Sequence, residues 1–239
     1  MKAIIFDCDG VLVDTERDGH RVAFNRAFAA MGIDAEWDVA LYAELLLIGG
    51  GKERMRHYFE KYGWPEDRSE THDELIVALH KKKTEIFTDI IASGQLPLRP
   101  GVQRIVDEAI AAGVRLGVCT TSAPKAIDGV LDLFGPERKA KFEFVHAGDI
   151  VSRKKPDPEI YELAKKTLGL PPSDCIVIED SRNGLLAATG AGFPTLITVS
   201  TYTGGEDFSE AAAVVPELGD VPNVRVTLED LARLTLQNA

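Results

Sequence analysis

The chain is predicted to be an α/β protein, with a parallel-sheet core interrupted early by an inserted α-helical cap domain. Three observations predict it. Short apolar runs each end in polar residues, helical patterns between them close on glycine, and one long stretch breaks the alternation. At 239 residues there is room for one large domain or for a core with a smaller insertion.

Ala3-Ile4-Ile5-Phe6 is the first apolar run, and it ends in Asp7, Asp9 and Gly10, as a buried strand entering a loop does. From about residue 16 to residue 96 β-branched runs are scarce. Val22, Ala23, Phe24, Ala27, Phe28 and Met31 form one helical stripe there, and Leu75, Ile76, Leu79 and Ile86 form another. The stretch Leu96-Pro97-Leu98-Arg99-Pro100-Gly101 cannot continue a helix and reads as the return crossing. The expected division is therefore 1–15 with 97–239 as the core and 16–96 as the cap.

Beyond the crossing, strands are expected at Val114–Cys119, Phe142–Val145, Cys175–Ile178 and Thr195–Val199. Helical patterns alternate with them at Val102–Ala112, Ala126–Phe134, Pro158–Leu168 and Asn183–Ala191. Gly113, Gly169 and Gly192 stand at helix ends, where a left-handed residue is favoured. Strands and helices of this length in alternation imply crossover units and a sheet covered on both faces.

Composition narrows the function. Apolar residues make up 45% and charged residues 27%, the balance of a soluble globular protein. A formal charge of -11 argues against a general nucleic-acid binder, which needs clustered Lys and Arg. It leaves a small anionic substrate open, because one metal ion and a few local cations can dominate a pocket. No apolar run approaches the roughly 20 residues of a membrane helix, and Asp7 and Asp9 cut the first run too short for a signal peptide. Cys8, Cys119 and Cys175 lie in or beside apolar runs, which reads as reduced, buried thiols in a reducing compartment. A soluble intracellular monomer is expected, in a bacterial cytoplasm or, in processed form, a plastid stroma.

The chemistry collects at strand ends, where open parallel sheets bind ligands. Asp7 and Asp9 follow the first strand, Thr120 follows the second, Lys155 precedes Pro156 in a loop, and Glu179-Asp180 follow a later strand. Carboxylates suit Mg²⁺, a hydroxyl and local N–H groups can hold phosphate oxygens, and Lys supplies a point charge. Any one of these alone is an ordinary solvated turn or helix cap. Four in this order, each at a separate strand end, are not.

This order resembles the haloacid dehalogenase superfamily, whose signature begins Asp-x-Asp-Gly, and the likeness covers nearly the whole chain. Lys155-Pro156-Asp157-Pro158 and Glu179-Asp180-Ser181-Arg182-Asn183-Gly184 resemble its subgroup with a helical cap after the first motif. The resemblance implies a Rossmann-like core and a Mg²⁺-dependent phosphatase with Asp7 as nucleophile and Asp9 as acid and base. It also implies Thr120 and Lys155 on the phosphoryl oxygens, and metal held by Asp7, Asp9, Glu179 and Asp180. Thr121, Ser122 and Asn183, in the same loops, are implied substrate contacts.

Cap residues are expected to choose the substrate, a small phosphorylated sugar. Glu16 follows the Asp14-Thr15 hinge, and His20 lies four positions on, so the two share a helix face. A first-turn carboxylate stabilised by the helix dipole is the plainer reading of Glu16, and surface decoration that of His20. Gly49-Gly50-Gly51-Lys52-Glu53-Arg54 makes a backbone concavity with a positive end; Gly50, Gly51, Lys52 and Arg54 are substrate candidates, with Lys52 for a second phosphate. A flexible turn with a solvated lysine is the competing account. His57, His72, His80 and the run Lys81-Lys82-Lys83 read as surface.

Glu16, His20 and the Gly-Gly-Lys-Glu-Arg phrase resemble the CbbY-type branch of this family, the xylulose-1,5-bisphosphate phosphatases of carbon fixation. The β-phosphoglucomutase branch pairs one glycine with Ser-Arg at this loop, and that pair is absent here. Three readings stay open: the bisphosphate phosphatase, a mutase or other small sugar-phosphate or phosphoglycolate phosphatase, and a non-catalytic binding protein on the same fold. Retention of Asp7, Asp9, Thr120, Lys155 and Asp180 together speaks against the last.

Overall fold

A computed structural model describes residues 1–48, 51–66, 68–94 and 96–236. The chain separates into two compact units, Met1–Asp14 with Pro97–Ala239 and the inserted Thr15–Leu96. Thr15, expected at the end of the core, falls with the insertion.

The larger unit is the expected α/β fold. Its strands are β1 (Ala3–Phe6), β2 (Arg115–Thr120), β3 (Phe142–Ala147), β4 (Cys175–Glu179), β5 (Thr195–Thr198) and β6 (Ala213–Val215). They form one sheet in the order β3-β2-β1-β4-β5-β6, and every pairing is parallel. β1 is central, which explains why all four of its residues are apolar and fully buried. Helices α5 (Val102–Ala111), α6 (Pro124–Asp132), α7 (Pro136–Lys139), α8 (Glu159–Leu168), α9 (Arg182–Gly190) and α10 (Leu228–Leu236) connect or follow the strands. Residues of α8 and α9, among them Ile160, Ala164 and Ala187, share a core with Ala3, Ile5 and Val177.

The connection order makes β1 the switch point: the chain winds outward through β2 and β3 on one side, and through β4, β5 and β6 on the other. Register then fixes the site. Phe6 lies level with Val118 of β2 and Ile178 of β4, so Asp7 emerges beside the ends of both neighbours. Its N–H is held by the Ile178 carbonyl at 2.9 Å.

The inserted unit contains α1 (Arg21–Ala30), α2 (Val39–Leu45), α3 (Gly51–Tyr62) and α4 (His72–Ala92), preceded by a π-helical turn at Glu16–His20. Asp38 caps α2, and Thr71 and Glu74 cap α4 reciprocally. An aromatic cluster forms the core: the Phe24 and Trp37 rings are 4.6 Å apart, Phe28 and Trp37 5.1 Å, and Phe28 and Phe59 6.0 Å. Of the two expected stripes, Ala23, Phe24, Ala27, Phe28, Leu75, Ile76 and Leu79 are buried, while Val22, Met31 and Ile86 are half-buried. Among the described residues no helix is long and apolar enough to cross a membrane.

Candidate functional site

Asp7 leaves β1 with 7% of its surface exposed, and its Oδ1 lies 2.6 Å from Lys155 Nζ. That ammonium also donates to Glu179 Oε1 at 2.5 Å and to the Cys119 carbonyl at 2.9 Å, so all three of its hydrogens are assigned. Burial pulls the Lys155 ammonium down, but Asp7 and Glu179 more than offset it, and its pKa is raised. Lys155 is a fixed positive charge.

Oxygens of Asp7, Glu179 and Asp180 lie within 4.8 Å of one another, all three residues buried. One ammonium faces three carboxylates, and the excess charge registers on two of them. Burial, then the neighbouring Glu179 and Asp9, push the Asp7 carboxyl up to about 8 against the pull of Lys155. Burial, then Asp7 and Glu179, raise Asp180 well above the carboxylate range. An all-oxygen set short of positive charge fits a hard divalent cation. Gly10 makes this close approach possible: it has φ +82°, and a Cβ there would stand 1.9 Å from Asp180 Oδ2.

Asp9, half-buried, accepts from the Ser122 hydroxyl, and the fully buried Thr120 Oγ1 is 3.5 Å from the same carboxylate oxygen. The Ser122 N–H in turn donates to Thr120 Oγ1 at 3.1 Å. Ser122, expected on substrate, is thus engaged with Asp9. Thr121 and Asn183 are exposed, Thr121 between Thr120 and Ser122 and Asn183 in the first turn of α9.

Arg99 is a residue the sequence reading left out, since its segment registered only as a crossing. Its guanidinium donates to the Gly10 carbonyl, to Thr198 O at 3.0 Å, and to Val199 O and Pro216 O at 2.7 Å each. The loop that carries Asp9 is thereby tied to the end of β5.

The candidates in the inserted unit divide. Gly50 lies outside the described residues, and Gly51 begins α3 with the exposed Lys52 next to it. Arg54 is already engaged within the inserted unit. It is buried, with its guanidinium on Leu45 O at 3.0 Å, Ile48 O at 3.3 Å and the Tyr42 hydroxyl at 3.0 Å. The Tyr42 hydroxyl in turn donates to Glu16 Oε2 at 2.6 Å. The Arg54 fork of donors ties Leu45, at the end of α2, and Ile48 to the Tyr42 hydroxyl.

His20 Nδ1 is 2.9 Å from Lys83 Nζ, and its ring stacks on Phe87 at 3.9 Å. Lys83, expected at the surface, is 9% exposed, with its ammonium 4.9 Å from the Phe24 ring centre and 5.0 Å from that of Phe87. His80, also expected at the surface, is half-buried; burial lowers its pKa, and the charges of Lys83 and Lys52 lower it further. Lys52 and Lys83 thus both act on His80, with Glu53 opposing them, and Lys83 also meets His20.

A buried carboxylate at the end of the central strand, an anchored lysine and an acidic set at the switch point fit a phosphatase of the α/β class. The chain belongs to the haloacid dehalogenase-like hydrolase family, whose model matches residues 1–192. It is similar to the CBBY-like protein of Arabidopsis thaliana, 53% identical over 231 residues that cover 95% of this chain and 72% of that one. The plasmid-encoded protein CbbY of Cupriavidus necator is 41% identical over 243 residues, with 98% and 95% covered. A crystal structure of a CbbY mutant from Rhodobacter sphaeroides, in complex with xylulose-(1,5)-bisphosphate, matches with a TM-score of 0.77 at 38% identity, over 97% of this chain and 99% of that chain.

Proposed function

We propose that the chain is a Mg²⁺-dependent phosphatase working through an aspartyl-phosphate on Asp7, with xylulose-1,5-bisphosphate as substrate and xylulose 5-phosphate as product. The observation that carries the chemistry is Asp7 itself, buried at the switch point with one oxygen on Lys155 and the others of the acidic set at its side. Asp7 and Asp180, with the Asp9 carbonyl, would hold Mg²⁺, and Glu179, turned to Lys155, adds its negative charge beside them. When bound, the cation supplies the positive charge that offsets repulsion between a dianionic phosphate and an anionic nucleophile.

The chain's own residues do the rest. Asp7 attacks phosphorus and the ester oxygen leaves, so the P–O bond to the sugar breaks as the bond to Asp7 forms. Asp9, steadied by Ser122, gives a proton to the leaving oxygen and later takes one from the hydrolytic water. Lys155 and Thr120 stabilise charge on the transferring phosphoryl oxygens. The bisphosphate assignment draws on the ligand of the Rhodobacter relative, and on Lys52 and Lys83, whose charges both reach His80 in the inserted unit.

The test is inorganic phosphate release across sugar monophosphates and bisphosphates, ranked by kcat/KM, with products identified. The expected result is xylulose-1,5-bisphosphate at the top and one phosphate released per turnover. An isomerised sugar phosphate without net phosphate release would replace the phosphatase with a mutase.

A further inference from the structure

We infer that Tyr161 is a positioning residue for this reaction, acting through Glu179 to hold Lys155 on the nucleophile; the inference rests on the phosphatase reading. Tyr161 lies on α8, is fully buried, and donates its hydroxyl to Glu179 Oε1 at 2.5 Å. The same oxygen accepts from Lys155 Nζ at 2.5 Å, and that ammonium stands 5.1 Å from the centre of the Tyr161 ring. One phenol thus touches both ends of the ion pair that orients Asp7.

The other side of Glu179 is walled off. Its Oε2 lies 3.3 Å from the Asp180 N–H, and a Cβ on Gly184 would stand 2.0 Å from the same oxygen. Only a residue without a side chain leaves room for the carboxylate there. With the backbone closing one oxygen and Tyr161 and Lys155 closing the other, the carboxylate has one orientation. Phenylalanine would fill the same space among Ile160, Ala164 and Phe193 without a polar atom to desolvate. The hydroxyl is accounted for by its single acceptor, Glu179.

Without that hydroxyl the carboxylate keeps Lys155 and one distant N–H, and it gains freedom to turn toward Asp7 and Asp180. Lys155 then loses its fixed second anchor, while the acidic set gains a mobile anion. These two consequences have opposite signs. Turnover should fall, and the site should bind a dication more tightly.

The experiment compares Tyr161→Phe with Phe193→Leu, a change in the same core with its ring 6.3 Å from Tyr161. Thermal midpoints are measured first, then kcat and KM, and Mg²⁺ binding by calorimetry without substrate. For Tyr161→Phe we expect kcat to drop about tenfold, as for a lost hydrogen bond to a charged group, with KM within about twofold. Mg²⁺ should bind a few-fold more tightly, roughly in line with one freed carboxylate. Phe193→Leu should lower the melting temperature and leave both quantities within about twofold. Unchanged kcat in Tyr161→Phe overturns the inference, and so does the same pattern in both variants. Parallel loss of turnover and Mg²⁺ binding overturns it too, as does failure of Tyr161→Phe to fold at assay temperature, because each makes the hydroxyl a structural group. Absence of Mg²⁺-dependent phosphate release in the wild-type chain removes the phosphatase reading itself, and is seen before any variant is compared.

Discussion

Asp7 is the proposed nucleophile, and its surroundings set what each substitution should do. Asn at this position keeps the shape and removes the nucleophile, so Asp7→Asn should lose at least about 10³-fold in turnover while still folding. Phosphate release and a thermal melt check this; substantial activity with contamination excluded would overturn it. Asp9→Asn should cost most on substrates with poor leaving groups, since a good leaving group needs no proton; a uniform loss across leaving groups would remove Asp9 as the acid. Both aspartates were legible because a run of four apolar residues delivers them to a strand end. Lys83 was misread from the run Lys81-Lys82-Lys83, which looks solvated. Its helical phase carried the information: it stands four residues after Leu79 and four before Phe87, on the buried stripe of α4. Tyr161 gave no signal at all, because a tyrosine in an amphipathic helix is ordinary core until its hydroxyl is seen to meet a carboxylate.

At the scale of elements, apolar runs located every strand that is buried on both faces, and missed β6, a three-residue edge strand that is only partly buried. Helix α10 also went unread, although Thr227 and Asp230 bond reciprocally at its start, and a Thr-x-x-Asp pattern announces such a cap. The edge strand β3 carries a pH-sensitive contact. His146 is 7% exposed, with Nε2 3.0 Å from Thr167 Oγ1, its ring stacked on Phe144 at 4.6 Å, and Nδ1 without a partner among the described residues. Burial lowers its pKa, so the fold favours the neutral ring. The neutral ring's contribution is full above the ordinary histidine pKa of about 6.5 and is lost as pH falls through the lower folded value. Urea midpoints measured from pH 7.5 to 5 should therefore fall more steeply in the wild type than in His146→Phe, which keeps the ring stack and removes the proton site. Parallel pH curves would show that His146 titrates alike in the folded and unfolded chains.

For the molecule as a whole, the division into units was legible because a stretch with few β-branched runs ends at two prolines and a glycine. The substrate was not, since strand-end motifs specify how a phosphoryl group is transferred and leave open what it is attached to. The expected deciding residues lie in the inserted unit, where sequence pattern pointed to Glu16, His20 and Lys52 and the structure sets Lys83 beside His20 and His80 within reach of both lysine charges. If this neighbourhood holds a second phosphate, Lys52→Ala should lower kcat/KM on a pentulose bisphosphate. A charge-assisted contact of about 1.5–3 kcal/mol corresponds to about 10- to 150-fold. On p-nitrophenyl phosphate, which has no second phosphate, the change should stay within about twofold. Lys83→Met, which keeps most of the buried stem, should show the same selectivity if its ammonium serves the anion. A role confined to packing between Phe24 and Phe87 would instead lower the melting temperature and reduce both activities together. Much of the loss on the bisphosphate can fall in kcat, because binding energy at a remote phosphate is used to align the reacting end. Equal losses on the two substrates for both variants would mean a damaged unit and would remove the bisphosphate reading, while Asp7 and its neighbours would still define a phosphatase.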